Sequence, residues 1–216
     1  MPAGADWLRK SAEQGDLDAM SIYAACFNDG FGVTKDPLQA VAWYRKGAAK
    51  GHARCQRELG NCLYNGTGVA KNLPQARVWY GKAAEQDDAR SQYVLAVMLA
   101  GAEGGDRDLE QAVTWYRKAA DQGDAWAQNN LGVALLDGKG VAQNHVAATQ
   151  LFLKSSEQGN MTATFNLARS FEYGRGIRQD PLRALDLYRQ AAADGRKAAA
   201  DDAKRVLSTI ASDWVP

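Results

Sequence analysis

The aromatic pairs Trp43-Tyr44, Trp79-Tyr80 and Trp115-Tyr116 stand 36 residues apart. Trp7 lies 36 residues before the first pair, and Leu151-Phe152 and Leu187-Tyr188 continue the series. A small residue opens each unit at Ala19, Cys55, Ser91, Ala127, Ala163 and Ala199, with no insertion or deletion to break the register. A period of this length marks a stacked array of supersecondary units, in which each unit buries its apolar face against the next. Such a chain builds an extended surface rather than a closed catalytic pocket.

One unit, from Asp124 to Gly159, shows the physics. Ala127, Leu131, Ala134 and Leu135 recur at helical spacing and predict an amphipathic helix, termed A. Gly138-Lys139-Gly140-Val141 follows, the first glycine suited to a left-handed C-cap and the second to a tight turn. Asn144 then reads as an N-cap, and Ala148, Leu151, Phe152 and Ser155 face inward on a second helix, B, which Gly159 ends. Gly30-x-Gly32, Gly66-x-Gly68 and Gly174-x-Gly176 repeat the turn. Asp36-Pro37 and Asp180-Pro181 place an N-cap before a proline at the first helical position. Asn72 and Asp108 fill the same place elsewhere. Gly15, Gly51, Gly123 and Gly195 end further B helices, and Asp87 occupies the equivalent position in the second repeat. Ala24, Gly60, Ala96, Gly132 and Ala168 on helix A, with Ala40, Ala76, Ala112, Ala148 and Ala184 on helix B, let the two helices approach closely.

The expected architecture is all-α. One solenoid domain covers residues 1–216, with a half repeat over about 6–15, five full repeats over about 16–195 and a capping helix over about 197–212. Lys204 replaces the small close-packing residue in that last helix, and Val206, Leu207, Ile210 and Trp214 form a stripe expected to cover the fifth hairpin.

The pattern resembles the Sel-one-like repeat (SLR) family, relatives of the tetratricopeptide repeats. Its motif runs through Cys55 to Ala84 as Leu59, Gly60, Leu63, Gly66, Gly68, Val69, Asn72, Ala76, Trp79, Tyr80, Lys82, Ala83 and Ala84. The resemblance covers essentially the whole chain. It implies a right-handed α/α superhelix with A helices lining the concave side, and an adaptor role in a chiefly bacterial family. Two departures stand out. The third turn reads Ala102-Glu103-Gly104-Gly105, losing the first glycine and the valine, and is expected to be looser. A cysteine-rich, secreted branch of the family bridges helices B and A through two cysteines eight apart; here Cys55 fills the second position but Gly47 the first.

The totals exclude several functions. Lys and Arg number 26 against 25 Asp and Glu, which leaves no basic footprint for nucleic acid. No apolar run is long enough to span a bilayer. The first six residues hold no apolar leader, so the sequence as given predicts a cytoplasmic protein, and a periplasmic one if a leader precedes it. Cys26, Cys55 and Cys62 read as free thiols packed as small apolar residues, which favours a reducing compartment. There is no G-x-S-x-G, S-x-x-K, H-E-x-x-H or P-loop, so no catalytic, cofactor-binding or metal site is expected. His52 and His145 read as surface residues at helix ends, Asp87-Asp88 and Asp201-Asp202 as acids near helix starts, and the Trp-Tyr pairs as core.

The informative positions are those the motif leaves free. By analogy with tetratricopeptide geometry, helix A turns Arg54, Arg57, Glu58, Asn61 and Tyr64 toward the concave face in the second repeat. The next three repeats add Arg90, Tyr93, Val94, Val97, Trp126, Asn129, Asn130, Val133, Phe165, Asn166, Arg169 and Glu172. Aromatics and arginines interleaved with asparagines have the composition of a recognition surface. The alternative is local packing between neighbouring A helices. The sequence therefore predicts a monomeric scaffold that binds a protein or peptide. An immunity protein occluding a bacterial toxin is the alternative, and a β-lactamase-type enzyme is less favoured because S-x-x-K and the cysteine pairs are missing.

Overall fold

The computed structural model describes residues 3–212. Among them are twelve α-helices and no strand. They are α1 (Ala3–Glu13), α2 (Leu17–Asp29), α3 (Pro37–Ala49), α4 (Ala53–Asn65), α5 (Leu73–Ala84) and α6 (Ala89–Gly101), then α7 (Leu109–Asp121), α8 (Ala125–Asp137), α9 (His145–Glu157), α10 (Met161–Tyr173), α11 (Pro181–Ala193) and α12 (Lys197–Ser212). Even-numbered helices are the A helices and odd-numbered ones the B helices. Two compact units emerge, Met1–Asp108 and Leu109–Pro216. Within each, helices pack chiefly against their neighbours in sequence.

Four of the N-caps that the sequence places on the B helices are seen. Asp36 accepts from the backbone N–H groups of Leu38 and Gln39, and Asn72, Asn144 and Asp180 each accept from the N–H three residues on. On the A helices, Asp16, Asp88, Asp124 and Asn160 do the same. The small residues opening each unit are all buried, as are all ten close-packing positions. At Gly132 a Cβ would lie 2.6 Å from the Phe152 ring, and at Gly60 3.0 Å from the Tyr80 ring. The missing side chain on helix A is thus what admits the core aromatic of helix B.

The second turn glycine has a tertiary reason beyond its positive φ. A Cβ on Gly68, Gly140 or Gly176 would fall onto the carbonyl oxygen of Pro37, Leu109 or His145, at the first turn of the preceding B helix. Each repeat therefore lays its turn backbone against the one before it.

Three expectations are corrected. In the Trp-Tyr pairs only the second residue is core: Tyr44, Tyr80, Tyr116, Phe152 and Tyr188 are buried, while Trp43, Trp79, Trp115, Leu151 and Leu187 are half-buried. Trp7 is 66% exposed. The third turn is not looser, because Ala102 takes the left-handed conformation itself (φ 60°, ψ 28°) and caps α6 through Met98, and Gly104 keeps its φ of 74°. On α12 the buried face is Ala199, Ala203 and Val206, Ile210 is half-buried and Leu207 is exposed; Trp214 lies outside the described residues.

Candidate partner-binding face

Within the first unit, Arg54, Arg57, Glu58, Asn61 and Tyr64 lie along α4, and Arg90, Tyr93, Val94 and Val97 along α6. Arg54 and Arg90 are exposed and the rest half-buried. The two helices are laced across this face. Arg57 pairs with the α6 N-cap Asp88 at 2.6 Å and with Glu58 at 3.0 Å. Asn61 donates to Glu58 and accepts from the Tyr80 hydroxyl at 2.6 Å. Tyr64 donates to Glu103 at 2.7 Å, and Arg90 lies over the Tyr93 ring at 5.9 Å.

The second unit has its own ladder. The amide of Asn166 on α10 donates to Asn129 on α8, Asn129 donates to Asn130, and Asn130 donates to the Tyr116 hydroxyl. Asn129 is only 4% exposed. These hydrogen bonds tie the neighbouring A helices α8 and α10 together and anchor Asn130 on Tyr116. Phe165 packs against Tyr188 with the rings tilted by 60° and their centroids 5.5 Å apart, and carries Arg196 over its own ring at 5.5 Å. Val133 is half-buried, Arg169 exposed and Trp126 49% exposed. Glu172 is buried, accepting from Tyr188 and Arg205.

Sequence reasoning missed a set of buried glutamines that repeats along the chain. Gln56, Gln92 and Gln128 are buried 36 residues apart, and each donates its amide to a carbonyl eight residues back, at Ala48, Ala84 or Ala120. They satisfy the last carbonyls of the preceding B helix. Gln86 and Gln158 in turn donate to Gln56 and Gln128. The signal was present in the 36-residue spacing of these glutamines, but glutamine is usually a surface residue.

Reactive chemistry is muted. All three cysteines are free and buried, and burial pushes the Cys55 and Cys62 thiols up to about 11, so they stay protonated. His52 is not a surface residue: it is half-buried at the start of α4, 3.2 Å from Cys55 Sγ and 3.3 Å from Asp18. Among the described residues no group of three or more His, Cys, Asp or Glu side chains could hold a metal ion, and no helix is long and apolar enough to cross a membrane.

The sequence profile of the Sel1 repeat matches residues 2–16, 17–52, 53–88, 89–124, 127–160 and 162–195. The chain belongs to the Sel1 repeat family. Sel1 repeat proteins are generally protein-interaction scaffolds. Among solved structures, a protective antigen of uropathogenic Escherichia coli displaying an SLR fold is 33% identical with a TM-score of 0.88, over 94% of this chain. The present chain spans only 44% of that one. A Sel1 repeat protein from Oxalobacter formigenes is 30% identical with a TM-score of 0.81, over 91% of this chain and 86% of its own. An immunity protein from Pseudomonas aeruginosa shares the fold at 22% identity and a TM-score of 0.51, over 89% of this chain and 74% of its own. No curated protein matches the chain. The Sel1 motif Trp-Tyr-x-Lys also gains a physical meaning: Lys46, Lys82 and Lys118 lie over the rings of Trp43, Trp79 and Trp115 at 4.1, 4.4 and 4.4 Å. The lysine covers the outer face of a tryptophan whose inner face packs.

Proposed function

We propose that this Sel1 repeat protein is a non-enzymatic scaffold that holds a peptide or partner domain on the face of its A helices. Trp126 is the observation that carries it. It stands on α8 outside the 36-residue aromatic series, with half its surface in solvent. A large aromatic so placed adds little to the core and offers a rigid anchor to a partner. In the same unit Arg169 remains exposed for a charged contact, and the laced asparagines supply rigidity. A rigid face loses little entropy on binding.

Trp126→Ala should leave the melting temperature nearly unchanged and weaken capture of the natural partner from a lysate of the source organism. Trp115→Ala, half-buried under Lys118, should lower the melting temperature and spare binding per folded molecule. If Trp126→Ala unfolds the protein while binding survives, the assignment fails. Nitrocefin turnover above the buffer rate would overturn the non-enzymatic reading. The likeness to the immunity protein is one of fold, and nothing on the A-helix face favours a toxin over other partners.

A further inference from the structure

A second surface lies on the B helices of the first unit, independent of the A-helix face. Arg45 and Ala49 of α3, Leu59 and Leu63 of α4, and Gln75, Val78 and Trp79 of α5 line a groove of about 540 Å³. Its floor is the buried pair Leu59 and Leu63, and Val78 on its wall is 56% exposed. An apolar groove open to water has unsatisfied hydrophobic surface that a partner can cover.

Charge selects the partner. Neither α3 nor α5 contains a carboxylate, while the other B helices of full repeats do: Glu110 and Asp121 on α7, Glu157 on α9, Asp186 on α11. The rim cations are exposed and have no carboxylate partner among the described residues. Arg45 lines the groove, and Lys82 stands over the Trp79 ring. The nearby acids are committed or peripheral: Asp36 caps α3, Glu58 pairs with Arg57, and Glu85 lies beyond the end of α5. An apolar trough with a one-sign rim fits a ligand with an apolar stripe and acidic flanks. Nucleic acid fits less well. The floor offers no polar group to a base, and the chain's net charge of +1 provides no extended basic track.

We propose that the α3–α5 groove docks an acidic amphipathic peptide segment of a partner protein. Its apolar anchor sits over Leu59 and Leu63 beside Val78 and Trp79, and its carboxylates pair with Arg45 and Lys82.

The test uses the full chain and a fluorescein-labelled synthetic helix-forming peptide with leucines at i, i+3 and i+7 and glutamates between. Its controls are a scrambled peptide and a version with lysine for glutamate. Anisotropy titrations should show the acidic peptide binding at least about tenfold tighter than either control, and weakening as salt rises. The double variant Arg45→Glu/Lys82→Glu should lose about tenfold or more, and Val78→Asp a similar factor, because it puts a carboxylate in the apolar wall. All three sites are exposed, so circular dichroism and melting should match the wild type. Lys154→Glu on α9, in the other unit, should bind as the wild type does. The proposal fails if the lysine peptide binds equally well, if the double variant retains affinity, or if Lys154→Glu abolishes binding. It also fails if a single-stranded DNA oligonucleotide binds the groove more tightly than the acidic peptide.

Discussion

Two residues carry backbone strain that glycine would relieve, and a third has the opposite fault. Asp87 and Ala102 are the non-glycine residues at positive φ among those described, at 61° and 60°. The left-handed region costs an L-residue about 1–2 kcal/mol. Asp87 recovers part of that by accepting from the buried Gln92 amide at 3.3 Å. Ala102 has no side-chain group with which to compensate. Ala102→Gly should therefore stabilise by about 0.5–1 kcal/mol after the added freedom of the unfolded chain is subtracted. Gly81 sits within α5, with nothing within 4 Å of where a Cβ would stand. Gly81→Ala should stabilise by a similar amount, about 0.5–1 kcal/mol, through helix propensity. At about 2–4 °C per kcal/mol for a chain of this size, both shifts are measurable by calorimetry. A fall in melting temperature for Ala102→Gly would show that the strain is absent in solution.

Helix pairing rests on the small-residue contacts, and α12 rests on a charge clamp. Gly132→Leu must displace Phe152, which is fully buried, and overpacking of this kind costs about 1–3 kcal/mol. An unchanged melting temperature would refute the α8–α9 packing. Glu172 on α10 accepts from Arg205 of α12 at 2.5 and 3.1 Å and from Tyr188 of α11 at 2.6 Å. Burial alone would raise the carboxyl's pKa, but the hydrogen bonds from Arg205 and Tyr188 outweigh it and hold it below the ordinary glutamate range. A carboxylate depressed on folding contributes its full stabilisation above the unfolded value of about 4.3 and loses it as pH falls through the lower, folded value. Thermal melts taken from about pH 7 down to pH 3 should show an acid-labile component that Glu172→Gln lacks. If the two proteins lose stability in parallel with acid, the clamp contributes nothing.

Because packing within each unit runs chiefly between successive helices, stability should be local. Hydrogen exchange on Gly132→Leu should rise most in α8 and α9, less in α10, and least in α12 of the same unit. A uniform rise across those helices would mean that the unit opens as one cooperative block.

The sequence alone determined the helices, their caps, the glycine turns and the family, because all follow from short-range rules repeated at one period. Asp36, Asn72, Asn144 and Asp180 need only their own backbone to act as caps. Tertiary structure decided what faces what. Trp79 and Tyr80 are adjacent and equally periodic, yet one is half-buried under a lysine and the other is core; a helix turns about 100° per residue, and periodicity does not reveal where the core ends. Asn129 and Trp126 share one exposed-looking pattern, but Asn129 is sealed by Asn166 from the next A helix and Trp126 is not. The groove over Leu59 and Leu63 was likewise invisible, because Arg45 of α3 and Val78 of α5 are 33 residues apart, and only the packing of both helices on α4 brings them to one opening.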